Sequence, residues 1–199
     1  MNSLVKLFTY LLFAVIACGS ISSCDDSKKD YVIDGVIHGG GNFEGETIYL
    51  VPFFNANSEK IDSAVIHNSR FVFKGKADAP EVYIIRMRPM IKIFVEELVF
   101  VREPGYIRTT MAEHSAVKGT PLNDSIQQWH TYNVQTKERI ANLSKEVRRA
   151  RQRRDQKLVD SLLHISDELL MEFNNKNRAM AAANRDNAFG QFLELYEKK

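Results

Sequence analysis

The side chains able to do covalent chemistry are few and unevenly placed. Cys18 and Cys24 are the only cysteines, and residues 25 to 199 hold none. This excludes a disulfide, a Cys-x-x-Cys redox pair, a thiolate zinc site and a cysteine nucleophile from the folded body. The histidines His38, His67, His114, His130 and His164 are scattered with no His-x-x-x-His, and no carboxylate stands at a ligand spacing from them. Ser63, Ser125 and Ser161 each follow an aspartate, but no histidine is set beside any of them as an activating base. The glycines of "IHGGGNFEG" lack phosphate-loop spacing and lead into a strand, so they read as a turn. The sequence therefore gives no catalytic residue, no cofactor site and no metal site, and the expectation is a protein that is not an enzyme.

The two cysteines belong to the N-terminal segment "MNSLVKLFTYLLFAVIACGSISSC". Lys6 is its one charged residue, and Leu7 to Cys18 form an apolar run of the length of a signal-peptide core, shorter than the roughly 20 residues that a membrane span needs. Small residues follow. Ile21-Ser22-Ser23-Cys24 resembles the lipobox of bacterial lipoproteins, in which the cysteine thiol accepts diacylglycerol and becomes the mature N terminus. Multiple acyl chains hold a protein stably where one holds it marginally. Residues 1–23 are then a lipoprotein signal peptide, Cys24 the lipidation site and 24–30 a polar tether. Ordinary cleavage with Cys24 left free, an uncleaved anchor, and a second cut at Val15-Ile16-Ala17-Cys18 are the other readings. The lipobox places the protein in the cell envelope, lipid-anchored on the periplasmic side or at the cell surface.

Composition fits a globular body, with 44% hydrophobic and 26% charged residues. A formal net charge of +2 gives no electrostatic case for nucleic acid. From Tyr31 to about Lys118, short β-branched and aromatic runs alternate with turn residues: "YVIDGVIH", "TIYLVPF", "KIDSAVIH", "RFVFKG", "EVYIIRM", "IKIFVEELVFV", "YIRTTM" and "SAVKG". Strands at this spacing predict an antiparallel sandwich or partly closed barrel over 31–122. Phe71 and Phe73 share a core face, with "SAVIH" as hairpin partner across Asn68-Ser69.

At "GTPLNDSIQQW" the period changes to that of a helix, with Asn123 or Asp124 as its cap. Ile140, Leu143, Val147 and Ala150 form one apolar stripe and Leu158, Leu162, Ile165 and Leu169 another, separated by the polar "RQRRDQK". A single rod and a hairpin turning at Arg153 to Asp155 both fit. Charge favours the hairpin, because residues 137–157 are mostly basic and 158–175 carry only acidic charges. Asp155 then caps the second helix, and Asn187 caps a short last helix carrying Phe189, Phe192, Leu193 and Tyr196. The fold class is α+β, with the helical region at 123–199.

With these elements assigned, "YVIDGVIHGGGNFEGETIYLVP", "IDSAVIHNSRFVFKGKADAP" and "VFVREPGYIRTTMAEHSAVKGTPLND" resemble the domain of unknown function that precedes a thioredoxin-like or peroxiredoxin-like domain in lipoproteins of Gram-negative gut anaerobes. The most specific part runs from Glu103-Pro104-Gly105 to Gly119-Thr120-Pro121-Leu122-Asn123-Asp124. Where that family has a glycine in the turn before its "kF", this chain has Asn68-Ser69. The chain stops at Lys199, where the resemblance would bring in a Cys-x-x-Cys domain.

The leading expectation is a non-catalytic, lipid-anchored envelope protein acting as a binding or scaffolding module. One alternative is an accessory subunit or truncated form of a thiol:disulfide oxidoreductase system, with exposed Phe189, Phe192 and Tyr196 docking a thioredoxin-fold partner. Another is a solute-binding lipoprotein. The cluster Arg148, Arg149, Arg151, Arg153 and Arg154 is a further candidate interface, for acidic lipid headgroups, a polyanionic glycan or another envelope protein, or else a solvated helix end matched to the dipole. Ser63, Ser125 and Ser161, each in an Asp-Ser-apolar triplet, are candidate O-glycosylation acceptors.

Overall fold

The structure, a computed structural model, describes residues 29–39, 42–54, 61–87 and 97–197. Cys24, the signal segment and most of the tether lie outside the described residues. Eight strands are followed by three helices: β1 (Asp30–Ile37), β2 (Thr47–Pro52), β3 (Asp62–Val65), β4 (Arg70–Lys76), β5 (Glu81–Met87), β6 (Leu98–Arg102), β7 (Gly105–Met111), β8 (Ala116–Lys118), α1 (Pro121–Gln152), α2 (Gln156–Ala183) and α3 (Ala188–Glu197).

The strands form two four-stranded sheets, ordered β4-β1-β7-β8 and β3-β2-β5-β6. Period-two burial follows from one face of each sheet meeting the other. Ile33 and Ile37 of β1, Phe71 and Phe73 of β4, and Ile107 and Met111 of β7 point inward from the first sheet. Ile48, Leu50, Ile85 and Phe100 answer from the second. Phe71 and Phe73 meet edge to face at 5.8 Å, as core residues.

Two features depart from the expected antiparallel, hairpin-paired arrangement. β1 and β7 run parallel, Ile33 opposite Ile107. A parallel pair needs a crossover, and here the chain between them goes to the second sheet and back twice, through β2 and β3 and then through β5 and β6. β3 and β4 also part company after their turn. Asn68 and Ser69 have φ of 52° and 59°, and His67 and Arg70 exchange both backbone hydrogen bonds at 2.9 Å, the pattern of a two-residue hairpin loop. Beyond that bridge β3 pairs with β2 and β4 with β1, so the hairpin straddles the two sheets.

The helices form a hairpin, not a rod. Arg153 ends α1, Arg154 takes φ of 60°, and the Asp155 carboxylate accepts from the Leu158 N–H at 3.1 Å to cap α2. Trp129 Nε1 donates to Asn177 Oδ1 at 3.1 Å, Tyr132 stacks on Phe173, and Val147 and Ala150 meet Val159 and Leu162, which fixes the antiparallel register. On α1, Leu143, Val147 and Ala150 of the expected stripe pack against α2, and Ile140 is half-buried. On α2 only Leu162 and Leu169 of the expected stripe are buried; Leu158 and Ile165 are exposed and Val159 lies inside.

Candidate functional site

The segments Glu103–Gly105 and Gly119–Asp124 meet in space as the joint between the sandwich and α1. The helix begins at Pro121, ahead of the expected cap at Asn123 or Asp124. Proline suits the first helical position because it has no N–H to satisfy there. The cap comes from another element: Glu103, 7% exposed, accepts through Oε1 from the Leu122 N–H at 3.0 Å and the Asn123 N–H at 3.3 Å. A carboxylate at a helix N terminus is favoured by the free N–H groups and the dipole.

Asn123 is therefore freed for a different task. Fully buried, it accepts from the Val101 N–H at 2.8 Å and donates to the Val101 carbonyl at 2.7 Å, pairing with the edge of β6 as a strand would. The Asp124 carboxylate accepts from the Gly119 N–H at 3.0 Å. Gly119 has φ of 111°, and a Cβ there would stand 2.5 Å from the Tyr106 carbonyl oxygen.

One residue before Glu103, Arg102 closes the end of the sandwich. It occupies an inward register position opposite Glu81. Its guanidinium carbon lies 4.3 Å from the Tyr83 ring centroid, on one sheet, and 5.7 Å from that of Tyr31, on the other. Nη2 donates to Glu81 Oε2 at 2.7 Å, while Nε is buried with no hydrogen-bond partner among the described residues. Burial pushes the Tyr31 and Tyr83 phenols up, against the opposing pull of Arg102. Outside this plug opens a cleft of about 600 Å³, also lined by Asp62, Lys76 and Asp78.

Guanidinium, phenol and carboxylate groups on aromatic walls suit recognition of a polar ligand. Cation–π contact and hydrogen bonding can orient such a ligand. Sequence reasoning missed Arg102, because its position depends on two sheets facing each other.

On the outer face of the first sheet, Arg70 Nη2 lies 2.7 and 2.8 Å from the two Asp34 oxygens, and the Tyr106 hydroxyl donates to Asp34 at 2.6 Å. The Tyr106 hydrogen bond first, then Arg70, holds the Asp34 carboxyl below its ordinary value.

The residues expected at an interface divide. Arg148, Arg149, Arg151, Arg153 and Arg154 are exposed at the hairpin tip. The C-terminal aromatics are a correction: Phe189 is 0% and Phe192 3% exposed. Phe192 packs edge to face on Trp129 and Phe53, each at 5.2 Å, and half-buried Tyr196 accepts through its hydroxyl from Lys137 at 2.6 Å. The chain reverses after α2, where Asn187 Oδ1 accepts from the Gly190 N–H at 3.1 Å to cap α3. A Cβ on Gly190 would stand 2.0 Å from the Asn184 carbonyl oxygen, so only glycine permits this closeness. The turn lays the last helix back on the core instead of offering it to a partner.

Ser63 and Ser161 are exposed, whereas the Ser125 hydroxyl donates to the Pro121 carbonyl inside α1 at 2.9 Å. The five histidines stay apart, and no group of three metal-ligating side chains forms among the described residues. No helix among them is long and apolar enough to cross a membrane.

Residues 31–126 match the model of a family described as a domain of unknown function, DUF4369. The match ends inside the first turns of α1, so it takes in the joint together with the sandwich. No curated protein and no solved structure matches the chain.

Proposed function

Taking the chain as a carrier of the DUF4369 domain, we propose a lipid-anchored envelope protein whose sandwich is a non-catalytic binding or scaffolding module. The observation that carries the binding reading is the cleft at the end of the sandwich, where Arg102 lies between Tyr31 and Tyr83 with a buried Nε that has no hydrogen-bond partner among the described residues. The anchor rests on Ile21-Ser22-Ser23-Cys24. The solute-binding alternative draws on the same cleft, with a small molecule in place of a protein. The oxidoreductase-accessory alternative loses the exposed aromatics that motivated it and keeps the basic hairpin tip as a docking surface.

Feeding cells an alkyne-tagged fatty acid tests the anchor. The wild-type chain takes up label and sediments with membranes, and Cys24→Ala abolishes both; equal labelling of the two chains overturns it. Pull-downs from solubilised envelopes test the cleft. A species retained by the wild type and lost with Arg102→Ala, in a chain of unchanged circular dichroism, supports it. An identical set with both counts against it.

A further inference from the structure

Helix α1, at 32 residues and about 1.5 Å per residue, is about 48 Å long, and only its first part joins the core of the sandwich through Ile126 and Trp129. The far half of the hairpin is a two-helix arm with a small separate core of Val147, Ala150, Val159 and Leu162. Two helices have two flanks. One flank is a groove of about 280 Å³ between Leu143, Ser144, Val147 and Arg148 of α1 and Leu163 and Ser166 of α2. Leu163 and Leu170, seven residues apart on one face of α2, are each 39% exposed. Large apolar side chains grouped on an exposed surface mark an interaction site.

The sequence along this flank indicates what covers it. On α2, Asp160, Leu163, Asp167 and Leu170 recur at alternating spacings of three and four, the spacing of one seam of a helical bundle. On α1, Ala141, Ser144, Arg148 and Arg151 recur in the same way. One seam is large and acidic and the other small and basic. Counting outward from the turn at Arg154, Arg148 is level with Asp160, Ser144 with the residue after Leu163, and Ala141 with Asp167. Among the described residues Arg148, Arg151 and Asp160 make no ion pair.

We propose that this arm is a dimerisation surface, on which a second copy of the chain packs its hairpin side by side to complete a four-helix bundle. A two-fold axis parallel to the helices sets each α1 against the α2 of the other copy at equal height, because an isologous contact repeats itself. Leu163 and Leu170 enter the space left by Ala141 and Ser144 of the second copy. Arg148, with Arg151 one turn nearer the tip, meets Asp160. The leucines supply affinity, and the exposed charges supply register and partner choice.

The test uses full-length chains with two different tags, expressed together in the membrane. With p-benzoylphenylalanine in place of Leu163, irradiation gives a product of twice the chain mass carrying both tags, crosslinked to residues 137–152 of the other copy. Crosslinks confined to unrelated proteins, or no doubled product, overturn the proposal. Charge exchange gives a second measurement. Asp160→Lys, or Arg148→Glu with Arg151→Glu, each lowers self-association about tenfold, and the two altered chains recover it when mixed. Equal co-purification in every combination overturns the proposed pairing of α1 with α2.

Discussion

The same two helices are built in two ways along their length. Next to the sandwich, buried polar groups have particular partners: Glu103 caps α1, Asn123 pairs with Val101, Trp129 donates to Asn177, and Asn133 donates to Tyr196 at 3.1 Å. Toward the tip such contacts give way to a few aliphatic side chains and an exposed apolar flank. A hydrogen bond between buried groups demands one geometry, whereas aliphatic packing accepts several. The joint therefore sets where the hairpin points, and the arm is left with surface to share.

Three perturbations sharpen this contrast. Asn123→Leu strips the edge of β6 of both partners and lowers global stability by about 3 kcal/mol in chemical denaturation, at about 1–3 kcal/mol for each buried group left unpaired. A loss below the error of the extrapolation would mean that the joint is not what orders α1. Leu162→Ala removes about 2 kcal/mol, the low end for a leucine because a two-helix arm can collapse into the gap. This loss appears in hydrogen exchange as easier opening of the arm amides, with the β-core amides unchanged; equal weakening of both would make the molecule one cooperative unit.

The smallest effect is on the outer sheet face. The folded Asp34 carboxyl lies below its ordinary value of 3.8, held there first by Tyr106 and then by Arg70. Its contribution is fully present above that ordinary value and fades as pH falls through the lower folded one. The stability difference between the wild type and Asp34→Asn should be constant above that window and shrink only as pH falls through it, and only in the sandwich signals. Parallel curves would remove the ion pair from the account.

Local physics made much of this legible. The turn at Asn68-Ser69 and the caps at Asp155 and Asn187 depend on residues within a few positions, and the sequence displays them. The start of α1 is different, since its cap arrives from Glu103, far back along the chain, and leaves Asn123 for another role. Burial of Phe189 and Phe192 follows from a chain reversal that requires a glycine at 190, which periodicity does not report. Arg102 was invisible for the same reason, because its neighbours come from opposite sheets.

The straddling hairpin also orders events in time. Because β3 and β4 enter different sheets, and β1 waits for β7 as its parallel neighbour, neither sheet can finish before the other has begun. A chain delivered from its N terminus holds an open half-sandwich until Met111 has arrived, with β1 paired on one side only. Closure by such distant partners is slow, and during that wait the free edge of β1 is the part of the nascent chain most in need of protection from other strands.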